Sequence, residues 1–131
     1  MANLIFKLPE VINLVKLNAE LPSQIKTIEV VENRIRLTIN AGKLIPNINV
    51  FISFDSFQKG MVKLKIEAGK VLKLFSKYLF QIIEKKSISN VIFFHNGEML
   101  HVELNRILEQ KVKGIQIKSI IENNGIFKLV F

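Results

Sequence analysis

The sequence predicts an α+β fold: a curved antiparallel sheet, built from a duplicated β-α-β-β unit, packed around one long amphipathic helix at about 70–86 and two short helices. Three observations lead there. Residues 25–39 (IKTIEVVENRIRLTI) align without a gap onto residues 117–131 (IKSIIENNGIFKLVF), with four identities: Ile25/Ile117, Lys26/Lys118, Ile28/Ile120 and Leu37/Leu129. Upstream, with a four-residue length difference between the blocks, Leu4, Phe6, Leu8, Val11 and Ile12 fall on Leu100, Val102, Leu104, Ile107 and Leu108. Each copy carries an apolar face that only a further layer can cover. Elsewhere apolar residues alternate with polar ones, as in Ile48-Val50-Ile52-Phe54 and Val62-Leu64-Ile66, the pattern of antiparallel strands with one wet face. Finally, Val71, Leu72, Leu74, Phe75, Tyr78, Leu79, Ile82 and Ile83 cover about half of a helix, an arc broad enough for a curved sheet to cradle.

The elements follow in order. Leu4-Phe6-Leu8 alternates as a strand, and Pro9 suits the first helical position, where its missing N–H costs nothing. Val11, Ile12 and Val15 then share a helix face. Residues 25–39 read as a hairpin turning at Glu32-Asn33, and residues 48–55 and 61–67 as a second one turning at Lys59-Gly60. In the long helix Lys70, Lys73, Lys77 and Glu84 lie opposite the apolar arc, with Phe80 among them. Asn96-Gly97 predicts a two-residue turn, since both residues tolerate positive φ. Counted outward from it, His95 faces Glu98, Phe93 faces Leu100 and Ile92 faces His101. A short helix at 105–112 precedes the last hairpin, which turns at Asn124-Gly125. Residues 4–39 and 100–131 are expected to be related by a pseudo-twofold axis within a single domain, 1–131, with Leu37 and Leu129 as equivalent buried residues.

Composition bounds the chemistry. A chain of 131 residues can bury a core without staples. It has no cysteine, which excludes disulfides, thiolate metal sites and cysteine nucleophiles. MANLIFKLPEV is not expected to act as a signal peptide, and the longest apolar run is the four residues Val91–Phe94, against roughly 20 for a membrane-spanning helix. The expected location is the cytoplasm, with peripheral attachment to a membrane as a variant of it.

Catalytic motifs are missing. AGK at 41–43 and 68–70 lacks both the upstream glycine and the following Ser or Thr of a phosphate loop. The Asn96-Gly97 register sets His95 and His101 on opposite sheet faces, where they cannot share a metal ion. Asp55 is the one aspartate, the glutamates are scattered, and no serine has a GxSxG context. The expectation is a binding protein, not an enzyme, with no metal and no cofactor.

The partner is read from charge. The net charge is +8 and the pI about 9.8, which suit an anionic partner. Codon bias towards lysine explains the same count, so placement matters more than number. A weak echo of IRLTINAGKLI (35–45) in VKLKIEAGKVL (62–72) sets Arg36 beside Lys63 in pattern. With Arg34 and Lys65 these form a basic stripe pointing away from the apolar strand faces, joined by Lys128. Lysine on surface strands also serves simply to keep them soluble and unpaired.

Two binding readings result. In the first, the gap between helix and sheet takes an acyl chain, and the ligand-binding residues are Arg34, Arg36, Lys63, Lys65, Phe75, Tyr78 and Phe80. The run MLHVELNRILEQKVKGIQIKSIIENNGIFKLVF (99–131), and through the repeat residues 4–39, resembles bacterial lipid-binding proteins of the tubular, TULIP-like type. That resemblance implies lipid or an anionic membrane surface as partner, and binding without an active site. In the second, the element order resembles one domain of a sliding DNA clamp, which implies duplex DNA as partner and Lys16, Lys70, Lys73 and Lys77 as its contacts. A third reading is a small scaffold whose exposed strands or Phe80 dock a protein.

Overall fold

The computed structural model describes residues 2–18, 23–40, 42, 47–68, 92–95 and 99–131. Its elements are β1 (Asn3–Lys7), α1 (Leu8–Asn18), β2 (Ile25–Val31), β3 (Arg34–Ile39), β4 (Ile48–Gln58), β5 (Met61–Glu67), β6 (Ile92–His95), β7 (Met99–Glu103), α2 (Leu104–Lys111), β8 (Ser119–Asn123) and β9 (Ile126–Val130). The class is α+β with antiparallel pairing between all these strands. The expected helix at 70–86 lies outside the described residues.

Local chemistry explains the hairpins. Three two-residue turns carry positive φ at both central positions: Glu32 and Asn33, Lys59 and Gly60, Asn124 and Gly125. Such turns match the right-handed strand twist and fix register from the turn outward. The two hairpins of the repeat therefore pair identically, Ile28 with Leu37 in one and Ile120 with Leu129 in the other. At the head of α1 the Lys7 N–H donates to Glu10 Oε1 at 3.0 Å, half of a capping box, and Pro9 sits in the first turn.

Assembly of the units departs from the expectation of one sheet with twofold symmetry. There are two sheets, β1-β9-β8 and β2-β3-β4-β5-β7-β6. A twofold exchange would turn the β1–β9 pairing into β7–β3, but β7 lies between β5 and β6. The inserted β4–β5 hairpin is the reason: Val62 and Leu64 offer the same alternation as Val102 and Leu100, and β7 pairs there. The β8–β9 hairpin is left to β1.

In the larger sheet the registers put Ile28, Val30, Ile35, Leu37, Ile39, Ile48, Val50, Ile52, Phe54, Val62, Leu64, Ile66, Leu100 and Val102 on one face. That face has two ends. Ile39, Ile48, Val50, Ile66 and Ala68 form the buried cluster at one end. At the other, Ile35, Ile52, Phe54, Val62 and Leu64 look towards the smaller sheet, and the Phe54 and Phe127 rings meet edge to face at 5.5 Å and 85°. Leu37 and Leu129 are half-buried, not buried: Leu37 stands at the margin of the cluster, and Leu129 lines a cavity.

The β6–β7 pairing is shifted from the expected one. His95 pairs with Met99 and Phe93 with His101, which leaves three positions between the strands instead of two. Val91–Phe94 is uninterrupted apolar sequence, and without alternation it cannot fix register. Positions 95 and 101 thereby fall in the same alternation class, so the opposite-face argument against a shared ion does not hold.

Candidate ligand site

The predicted basic stripe exists as a placement. Arg34, Arg36, Lys63 and Lys65 occupy the polar face of the larger sheet, opposite Ser53, Phe51 and Ser56 of β4. It is not an open row of cations. Arg34 Nη1 donates to Glu67 Oε2 at 3.1 Å while its guanidinium lies 4.5 Å from the centre of the Phe51 ring. Lys65 Nζ stands 3.6 Å from the other oxygen of Glu67, and Arg36 pairs with Glu29. Lys63 is the member of the four with no ion pair among the described residues. Cross-strand alternation causes this: Glu29 is directly opposite Arg36, and Glu67 is opposite Phe51, within reach of Arg34. At 32–56% exposure these pairs contribute at most about 1 kcal/mol each to stability. Together Glu29 and Glu67 offset half of the positive charge of the four-residue stripe.

Phe75, Tyr78 and Phe80, the aromatic part of the expected site, lie outside the described residues. So do Lys70, Lys73 and Lys77.

The sheets enclose a different site. Between them is a cavity of about 410 Å3. Its floor is Ile35, Ile52, Phe54, Val62 and Leu64; its roof is Phe6 from β1, Ile120 from β8, and Phe127 and Leu129 from β9. Leu8, Val11, Leu14 and Val15 of α1 and Leu104 of α2 close the sides, and Asn33 and Ser53 are the polar residues of the lining. A volume and an apolar character of this kind are those of a small-molecule pocket with few orienting polar groups. Among the described residues the lining provides no carboxylate, imidazole or cation, and it offers affinity for apolar surface. Among the described residues no cluster of three His, Asp or Glu side chains could hold a metal ion.

Sequence reasoning missed these lining residues as a set, although the repeat marks some of them. Leu8 and Leu104 are equivalent positions, as are Ile35 and Phe127, and all four meet at the cavity. The first strand of each unit leads directly into its helix, so Leu8 and Leu104 open α1 and α2.

Two side-chain contacts hold this frame. Asn105, the second residue of α2, accepts from the Ile117 N–H at 2.8 Å and donates to the Ile117 carbonyl at 3.0 Å. Its own N–H reaches the Gly60 carbonyl at 3.2 Å, tying the β4–β5 turn to α2 and to the entry of β8. Asn33 lies against Gly125, so the two repeat hairpins touch turn to turn. Comparison of the chain with protein-family models, with curated proteins and with solved structures gives no match.

Proposed function

We propose that this chain is a non-enzymatic binding protein for an acyl-chain lipid, needing no cofactor. The cavity between the two sheets carries the reading: about 410 Å3, with fourteen of the sixteen described lining residues apolar and Asn33 and Ser53 the polar ones among them. An acyl chain would lie among Ile52, Leu64, Phe127 and Leu129, with its polar end towards Asn33. Binding is tested by native mass spectrometry of the purified protein and by titration with a fluorescent fatty acid. Val62→Trp, which places an indole in the cavity, should weaken uptake at least tenfold. No bound lipid and no saturable uptake by the unaltered protein would overturn the reading.

A second reading, duplex DNA, has one observation in its favour. The ion pairs of the sheet leave exposed lysines at Lys16 on α1 and at Lys111 and Lys113 at the end of α2. Lys16 and Lys111 are helix-borne and Lys113 follows the end of α2, as a clamp-like domain would require. Duplex DNA binding with a steep salt slope, abolished by reversing these three charges, would favour it over lipid.

A further inference from the structure

The smaller sheet has two different faces. Phe6, Ile120, Phe127 and Leu129 face the cavity. Strand alternation sends Ile5, Ile121 and Ile126 outward, and they are 64%, 55% and 45% exposed. The register aligns Ile5, Lys128 and Ile121 in one row across the three strands, and Lys7, Ile126 and Asn123 in the next. Asn3, Val130 and Ser119 make the third row. This face has no carboxylate. No described element packs over it.

We propose that the outer face of β1-β9-β8 is the surface by which the protein docks on an anionic phospholipid bilayer. The proposal rests on the acyl-chain reading and names the surface through which that ligand is met. Isoleucines amid lysines are the composition that settles at the headgroup boundary: the apolar side chains enter the acyl region while the lysine stems extend along it and their ammonium groups reach phosphate. Charge complementarity selects the anionic bilayer over a second copy of the chain, because a two-fold contact would bring Lys7 and Lys128 of both copies together on a protein already at +8. Size points the same way. Three strands of five residues span roughly 10 Å by 17 Å, well short of the roughly 800 Å2 per partner of a stable dimer. The same strands line the cavity on their other side, so docking here brings the bilayer within one sheet thickness of the acyl site. Glu29 and Glu67 engage Arg34, Arg36 and Lys65 of the other stripe, offsetting half of its charge, and that stripe with Lys63 lies on the other sheet.

The test is flotation with vesicles of phosphatidylcholine containing phosphatidylserine, at low and high salt, beside vesicles of phosphatidylcholine alone. The unaltered protein should float with the anionic vesicles and be released by salt. Ile5→Ser with Ile121→Ser, and separately Lys7→Glu with Lys128→Glu, should each reduce binding at least tenfold while urea unfolding shows both variants folded. Reversal of Arg34, Arg36, Lys63 and Lys65 should change it less than threefold. Uptake of fluorescent fatty acid, measured without vesicles, should survive in the outer-face variants. If that uptake is absent in the unaltered protein but flotation still depends on this face, the acyl reading falls and the docking surface stands. Flotation unchanged in both outer-face variants overturns the proposal. So does sedimentation showing that these variants dissociate a dimer, which would assign the face to a second copy.

Discussion

Replacing Asn105 with alanine should be among the most damaging polar substitutions in the chain. Its amide satisfies both backbone groups of Ile117, at 2.8 and 3.0 Å, as a neighbouring strand would. Ile117 is 4% exposed, so water does not readily take over. Each buried group left without a partner costs about 1–3 kcal/mol. Two such groups, less the relief from a water entering the space of the lost amide, give an expected loss of about 2–4 kcal/mol. With a urea slope of about 2 kcal/mol/M, the unfolding midpoint should fall by about 1–2 M. Asn49→Ala is the control. Asn49 also accepts one side-chain bond, from Thr38 at 3.1 Å, but at an exposed position, and its loss should stay within about 0.5 kcal/mol. Asn105→Asp isolates the donor: the Ile117 N–H keeps its acceptor while a carboxylate oxygen faces the Ile117 carbonyl. That variant should recover stability relative to alanine only as the carboxyl is protonated at low pH. A loss below about 1 kcal/mol for Asn105→Ala would refute the claim that this amide acts as a surrogate strand.

Burial ranks the apolar substitutions. Ile66→Ala, at 2% exposure in the central cluster, should cost about 2–5 kcal/mol by chemical denaturation, and the half-buried Leu37→Ala should cost less. Finding Leu37 the costlier would mean that the cluster is wrongly centred. Gly125→Ala meets φ +81° and places a Cβ 2.6 Å from Asn33 Oδ1. It should lose about 1–3 kcal/mol, part of it recovered when Asn33→Gly is added, as a double-mutant cycle will report. Glu67→Gln frees both Arg34 and Lys65 yet should shift stability by no more than about 1 kcal/mol in calorimetry, because the pairs are solvent-exposed.

The hairpins were legible because turn residues act over two or three positions. Asn33, Gly60, Asn124 and Gly125 dictate positive φ wherever the rest of the chain goes, and the two repeat hairpins share one register as a result. Which hairpin joins which sheet is a long-range choice among strands with the same alternation. Leu100 and Val102 match Val62 and Leu64 as well as they match any strand of the repeat, so the split into two sheets was not legible. The uninterrupted Val91–Phe94 run left the β6–β7 register open for the related reason that it has no polar face to orient it. At the site, the arginines and lysines were correctly placed on one face. The ion pair of Arg34 was missed because Glu67 comes from β5, two strands away from Arg34 on β3. The cavity needed both sheets before its residues could be recognised as one lining.

The pairing of the first strand with the last has a kinetic meaning. Asn3 pairs with Val130, and the contact extends outward through the Phe131 N–H to the Ala2 carbonyl at 3.0 Å. In an open chain, closing that loop costs about 4 kcal/mol more in entropy than closing a two-residue turn. The hairpins can zip locally, but β1 must wait for β9 before it has a partner, so contact order places this step late. Until it happens, Phe6 is missing from the cavity roof and α1 hangs from an unanchored strand. Refolding should therefore show sheet formation in β3-β4-β5 first, with the cavity completed in the slowest phase.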